Sequence, residues 1–263
     1  MVDIADLVAD LAAESDDLDA RVTPLPEAEW ARPTPAPGWT IGHQIAHLAW
    51  TDHVSRLAVT DLDAFASTLT SAADAPDRLA DRGAAEFLAP PAELLARWRA
   101  GRTRLAEALI AAPPGVRLTW FGTTMSPASM ATARIMETWA HGQDIVDALR
   151  MSRAPTGRLR HVAHLGVRTL GFAFAAHGRT PPAAPVRVEL VAPDGQQWAY
   201  GPTDAADRVA GPALDFCLLV TQRRHRADLA LVATGPIADE WLDIAQAFAG
   251  PPGAGREPSG ALR

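Results

Sequence analysis

Gly38-Trp39-Thr40-Ile41-Gly42-His43-Gln44-Ile45-Ala46-His47 and Arg134-Ile135-Met136-Glu137-Thr138-Trp139-Ala140-His141 are the two stretches that decide how this chain folds. As helices, each carries two metal-capable side chains four residues apart, and so on one face: His43 and His47 in the first, Glu137 and His141 in the second. This pattern predicts a divalent metal held between two helices. Imidazole and carboxylate together suit zinc or a similar first-row ion, and three protein ligands leave an open position for chemistry. The plain alternative is that each His is a half-buried, hydrogen-bonded residue of a helix face. Both pairs sit in apolar helices, and a Glu among Met136, Trp139 and Ile145 is costly to bury unless something neutralises it. A metal would do so.

Outward from these stretches, the pattern predicts four long helices. Ile4, Leu7, Val8, Leu11, Leu18 and Val22 recur at helical spacing over residues 2–22, against an acidic face. After the proline-punctuated stretch from Pro24 to Pro37, Thr40 is the N-cap of a helix running to Val59. Pro90-Pro91 opens a third helix, Ala92 to Ala111, stopped by Pro113-Pro114-Gly115. Arg117 to Met125 reads as extended or looped, and Ser126-Pro127 starts a helix that continues to Leu149. Four helices with His and Glu facing inward describe a bundle with a metal in its core.

After Pro155 the pattern changes to α/β. A helix over Arg158–Ala176 precedes an alternating strand at Val186–Val191, a Pro193-Asp194-Gly195 turn and a returning strand at Gln197–Tyr200. A helix over Ala213–Arg223, a strand at Leu229–Ala233 and a helix over Ile237–Phe248 complete the series. The expected fold is α+β: a helical domain over residues 1–154, a smaller α/β domain over 155–250, and a Pro/Gly-rich disordered tail over 251–263.

Composition narrows the function. A length of 263 residues with 48% hydrophobic content supports a packed core. A net charge of −7 argues against a duplex-binding surface and makes a small molecule the expected partner, with a monomer or homodimer expected. All 24 basic residues are Arg, which excludes a Lys Schiff base and a Gly-Lys-Ser/Thr phosphate loop. The first nineteen residues are acidic where a signal peptide would be basic and then apolar, and no apolar run is long enough to span a bilayer. With one cysteine, Cys217, the expected location is the cytoplasm. Cys217 lies in an apolar run and reads as a small buried hydrophobe, with a nucleophilic role as the alternative.

The Pro37-Gly38-Trp39-Thr40 segment with His47, together with Met136-Glu137-Thr138-Trp139-Ala140-His141-Gly142-Gln143-Asp144, resembles the DinB-like superfamily of metal-binding bundles. More closely, it is similar to the mycothiol-dependent maleylpyruvate isomerase group of actinobacteria. The stretch from Gly211 to Arg226 resembles a subfamily described only as metal-binding, so the likeness spans nearly the whole chain. It implies a DinB-like four-helix bundle followed by a sterol-carrier-like α/β domain. It also implies a metal triad of His47, Glu137 and His141, and mycothiol as the thiol activated for isomerisation or S-transfer on an unsaturated acid.

His43 departs from the family's ligand pattern; it either touches the metal or faces the substrate behind the ligands, and it is a candidate catalytic residue. Asp144 either orients His141 or packs in its helix. Arg223, Arg224 and Arg226 are candidates for gripping a substrate carboxylate at a cleft between the domains, or are charge complementing a helix C-terminus. Trp30, Trp39, Trp50 and Trp139 read as core or pocket wall, Trp120 and Phe121 as a substrate-facing loop, and His161, His164 and His177 as structural. Three functions follow from these readings. The leading one is a metal-dependent isomerase or transferase using a thiol on a small anionic metabolite. The others are a thiol-independent hydrolase or lyase and a non-enzymatic, metal-stabilised binding or stress-response module.

Overall fold

Among the described residues, ten α-helices and two small sheets make up an α+β fold, and the central element of the first unit is a helix buried on nearly every side. The computed structural model describes residues 3–73, 78–121 and 123–260, arranged as two compact units, Met1–Ser152 and Arg153–Arg263. In the first unit, α1 (Ile4–Val22) starts at Asp3, whose carboxylate accepts from the Ala5 amide at 3.0 Å, and buries Leu7, Val8, Leu11, Leu18 and Val22. Helix α2 (Ile41–Thr60) begins with a capping box between Thr40 and His43 and buries most of its residues from Ile41 to Ala58. A helix apolar all round belongs in the middle of a unit. Around it pack α3 (Leu62–Ala73), α4 (Leu79–Phe87), α5 (Pro91–Ala111) and α6 (Pro127–Ala148). Between the last two, β1 (Leu118–Trp120) and β2 (Thr123–Met125) form an antiparallel hairpin.

Helices α3 and α4 are not announced by the apolar pattern. Leu62 is exposed, and α4 carries a glycine, a poor helix former, in its interior. Packing explains the glycine: a Cβ at Gly83 would collide with the indole of Trp50 on α2. Arg99 and Arg102 on α5 clamp Asp19 at the end of α1, at 2.6 and 2.9 Å. The hydrogen bond from Arg99 outweighs burial and, with Thr23 and the charge of Arg102, holds the Asp19 carboxyl below its usual range. A depressed carboxyl contributes stability above its unfolded pKa and loses it as pH falls through the folded value. Asp19→Asn should therefore cost on the order of 1 kcal/mol at pH 7, a figure reduced by the exposure of Arg99. The difference from the parent should shrink below about pH 4, which urea unfolding at the two pH values would measure.

The second unit opens with α7 (Leu159–Arg168) and α8 (Leu170–Ala176), where the sequence pattern predicts one helix. The break falls at Thr169, whose hydroxyl bonds back to the carbonyls of Leu165 and Gly166 and competes with the helix ladder. A four-stranded sheet follows in the order β4-β3-β5-β6, with β3 (Val186–Val191) pairing antiparallel with β4 (Gln197–Tyr200) and parallel with β5 (Asp207–Pro212). Strand β5 went unassigned because Gly211 and Pro212 disguise its alternation. Asp207 then accepts from the amides of Ile237 and Ala238 at 2.7 and 3.0 Å, capping α10 (Pro236–Ile244). A Cβ at Gly235, where φ is +88°, would meet that carboxylate.

Three predicted ends move. Helix α9 (Ala213–Val220) stops short of Arg223 because Gln222 turns left-handed at φ +58° and the amides of Gln222 and Arg223 bond back to Leu219 and Leu218. Strand β6 is Val232–Thr234, since Arg226–Asp228 forms a 3-10 turn capped by His225. Helix α10 ends at Ile244, and the Gln246 amide then donates to the carbonyls of Phe248 and Gly250. In the expected disordered tail, Ser259 is tied to the Asp228 carboxylate through its amide and hydroxyl, both at 2.9 Å, and residues 261–263 lie outside the described residues. No described helix is long and apolar enough to cross a membrane.

Candidate metal centre

Helices α2 and α6 pack together in the first unit, and their contact brings His47, Glu137 and His141 to one point. One ligand atom from each lies within 4.8 Å of the others. The Nε2 atoms of His47 and His141 both stand 3.2 Å from the same Glu137 oxygen, Oε2. Burial pushes the Glu137 carboxyl up, but the hydrogen bonds and charge of His141 and His47 prevail and hold it well below the usual carboxylate range. It is a carboxylate at neutral pH.

Gln44 fixes the protonation pattern. Its Nε2 donates to Thr34 Oγ1 at 2.9 Å and, at a long 3.5 Å, to the carboxylate of the fully buried Asp144. Its Oε1 therefore faces His141 Nδ1, 2.5 Å away, and accepts that proton. With Nδ1 donating to Gln44, His141 directs Nε2 at Glu137, the atom that donates to the carboxylate while it carries a proton and offers its lone pair to an ion once that proton is displaced. The 3.2 Å separation from Glu137 is longer than a charge-assisted hydrogen bond of about 2.7–2.9 Å. It matches the spacing of about 3.3 Å expected between two ligands of a tetrahedral ion with bonds of about 2.0–2.1 Å. The buried Nδ1 of His47 has no hydrogen-bond partner among the described residues, so the polar shell on that side is incomplete. The donor set fits a divalent cation.

Gln44 is the residue that sequence reasoning missed, although its signal was present three positions before His47 on the same helix face. Asp144, read from the sequence as orienting His141 or packing in its helix, is fully buried and meets Gln44. Because outer partners tune ligand basicity and orientation, Gln44→Leu should weaken metal affinity by about 10–100-fold without unfolding the protein. Chelator competition would measure this, and unchanged affinity would remove Gln44 from the site.

Trp39 covers the cluster. Its ring centroid lies 5.1 Å from that of His47 and 5.8 Å from that of His141, nearly parallel to the latter at 18°. Its indole N–H donates to Asp81 at 2.8 Å. His43 is not in the ligand group: its Nδ1 lies 2.8 Å from Thr40 Oγ1 as part of the capping box that starts α2. Trp120 and Phe121, expected to line a substrate loop, instead close on Phe65 at 6.0 and 5.9 Å and pack against the core. The aromatic hairpin is a packing device.

Arg226, in the second unit, is held by Asp239 at 2.5 Å and Asp243 at 2.7 Å on α10. Arg223 and Arg224 follow the end of α9 and donate to the carbonyls of Thr221 and Arg223 at 2.6 and 2.7 Å. Cys217 is fully buried, and burial pushes its thiol up, which removes it as a nucleophile. His177 bonds to the Ala173 carbonyl and His164 packs on Tyr200. His161 is buried beside Arg160.

Comparison with known proteins gives the family and the fold. Residues 11–146, which include all three ligand candidates, match the family model described as mycothiol maleylpyruvate isomerase N-terminal domain. The chain belongs to this family. Residues 182–234 match a second model, described as wyosine base formation. An uncharacterized protein of Mycobacterium tuberculosis, found in strains CDC 1551 and H37Rv, is 59% identical over 257 residues, covering 97% of this chain and all of the relative. Among solved structures, the mycothiol-dependent maleylpyruvate isomerase superposes with a TM-score of 0.56 at 15% identity, over 88% of this chain and 93% of the other. A His-to-Ala mutant of it gives 0.59 over the same shares. At that identity the likeness speaks for the fold, a DinB-like one.

Proposed function

We propose that this chain is an enzyme that holds a divalent ion, zinc first, through His47, Glu137 and His141. It uses a low-molecular-weight thiol such as mycothiol to isomerise, or transfer sulfur to, a small unsaturated carboxylic acid. The observation that carries this reading is the convergence of two imidazoles and one carboxylate from two helices, within 4.8 Å of one another. When bound, the ion supplies Lewis acidity at an open position, enough to favour a thiol's deprotonated form or to polarise a substrate oxygen. Around it, Gln44 keeps His141 in the tautomer that presents Nε2. Trp39 gives the site an aromatic wall that sheds water from one side. His43, whose Nδ1 is engaged by Thr40, has only Nε2 left for moving a proton. Arg223 and Arg224 have the guanidinium chemistry that suits a carboxylate. Arg226, expected to share that role, is committed to Asp239 and Asp243. Such a thiol is kept reduced in the cytoplasm, where we place the protein.

The cluster has three members among the described residues, whereas structural zinc sites are closed by four, which favours chemistry over a purely structural ion. The test is turnover of maleylpyruvate by the zinc-loaded protein with and without mycothiol, read as loss of the cis acid. Thiol-dependent turnover supports the proposal. Turnover without thiol would move the chain to the hydrolase or lyase reading, and a metal-loaded protein that turns over no unsaturated acid would move it to the binding module.

A further inference from the structure

Helix α2 carries a second constellation on its other side. Arg56 follows His47 by nine residues, which places it about 180° around the helix from the metal ligands. There, between α2, α4 and α5, lies a hollow of about 510 Å³ lined by His53, Arg56, Phe87, Arg97, Gly101 and Arg104. Three guanidinium groups around one hollow run against the composition of a chain with net charge −7. Arg97 is partly neutralised by Glu93 at 2.7 Å and is positioned by the Phe87 carbonyl at 3.2 Å. No carboxylate among the described residues forms an ion pair with Arg56 or Arg104, and the only side-chain partner of Arg56 there is the Thr60 hydroxyl. The hollow also has an aromatic wall. The ring of Phe87 lies 5.6 Å from that of His53, and the Arg97 guanidinium stands 5.6 Å over the same Phe87 ring.

We propose that this hollow is a second ligand site, separate from the metal centre, that binds the phosphate monoester of a small planar organic molecule. The charge fits: two guanidinium groups without a carboxylate partner, and a third shared with Glu93, match a phosphoryl group of about −1.5 to −2 better than a single carboxylate. The volume lies within the range of about 300–1,000 Å³ found for small-molecule pockets and exceeds what an inorganic ion fills. The rings of Phe87 and His53 offer the organic part a flat apolar surface, while Arg56 and Arg104 present forked donors to the phosphoryl oxygens. Burial, together with the charges of Arg56 and Arg104, pushes the proton affinity of His53 down against the pull of Glu86, so the imidazole is neutral beside the cations. A bound dianion should push it back up. Gly101 lines the hollow without a side chain, and a Cβ there would meet nothing within 4 Å, so a larger side chain is sterically allowed at this wall.

The test uses the full-length, zinc-loaded protein and calorimetric titration with phenyl phosphate. The expected result is saturable one-to-one binding that is stronger than for inorganic phosphate or benzoate. It should weaken about tenfold or more in Arg56→Ala and in Arg104→Ala, as expected when one charge-assisted contact is lost. Gly101→Phe, which fills the hollow without touching the charges, should abolish it. Arg179→Ala, which removes an arginine of the second unit paired with Glu240, and removal of zinc from the folded parent by a chelator should leave it unchanged. An upward move of the His53 titration midpoint on saturation would support the assignment. Absence of saturable binding, equal binding of benzoate, or full binding by the Arg56→Ala, Arg104→Ala double variant would overturn it. Loss of binding when zinc is chelated from the folded parent would place the phosphate at the metal centre and also overturn it, without touching the proposed function.

Discussion

His47→Ala and His141→Ala are each expected to lower zinc content from about one ion per chain to near zero, because each removes one of the three candidate ligands found among the described residues. Loss of His141 has a second consequence. The Glu137 carboxylate keeps its position but loses one of the two imidazoles that hold it ionised in a desolvated place. Removing one partner of a buried charge typically costs about 3–5 kcal/mol, and the 22% exposure of the Glu137 side chain places the expected loss at or below the lower end of that range. This predicts a non-additive pair: Glu137→Gln removes the charge that His141→Ala strands, so the double variant should be less destabilised than the sum of the single variants. Elemental analysis reports the metal and denaturant unfolding reports the coupling. Full zinc occupancy in both His variants would eliminate this site.

The candidate ligands were legible as a cluster because metal chemistry restricts the residue types and the helix fixes their spacing. His47, Glu137 and His141 could be read from two local patterns, and the N-caps at Thr40 and Ser126 placed those patterns on helices. What tunes the cluster was harder to see. An amide has no restricted chemistry, so Gln44 looked like any polar residue until the fold showed His141, 97 positions away, at its oxygen. The fold was legible on the same terms. Helices with an apolar face and clear stops were found, whereas α3 and α4 cover the bundle with mixed sequence, and the value of Gly83 to α4 lies in the indole of Trp50 rather than in its own propensity. Arg226 misled for a related reason: a guanidinium suits a substrate carboxylate as well as Asp239, and sequence spacing does not distinguish the two.

The same two helices are joined by a contact that no motif announced. Arg134, three residues before Glu137 on α6, is buried to 2% exposure, and its Nε donates at 2.9 Å to Asp52 on α2, itself 3% exposed. Burial pushes the Asp52 carboxyl up, while the charge and hydrogen bond of Arg134, with help from Arg102 and Trp98, pull it down. Arg134→Met should therefore be the most damaging substitution outside the metal cluster, at about 3–5 kcal/mol near neutral pH, because it leaves a carboxylate in the core without its cation. The sign of the pH dependence follows. With Arg134 gone, the folded pKa of Asp52 rises further above its unfolded value. The penalty is then absent in acid and grows by about 1.4 kcal/mol per pH unit as pH rises from about 4 toward the folded value. The Arg134→Met, Asp52→Leu double variant exchanges the pair for apolar side chains. It should recover most of the stability and lose the slope, since a buried ion pair is weak support compared with well-packed hydrocarbon. Urea unfolding of the parent and both variants between pH 4 and pH 8 measures this. A single variant with a flat profile would show that Asp52 is not the group that Arg134 neutralises. If the double variant also keeps its zinc, the pair serves stability alone; if zinc affinity falls, the pair sets the registry of α2 against α6 on which the convergence of His47, Glu137 and His141 depends.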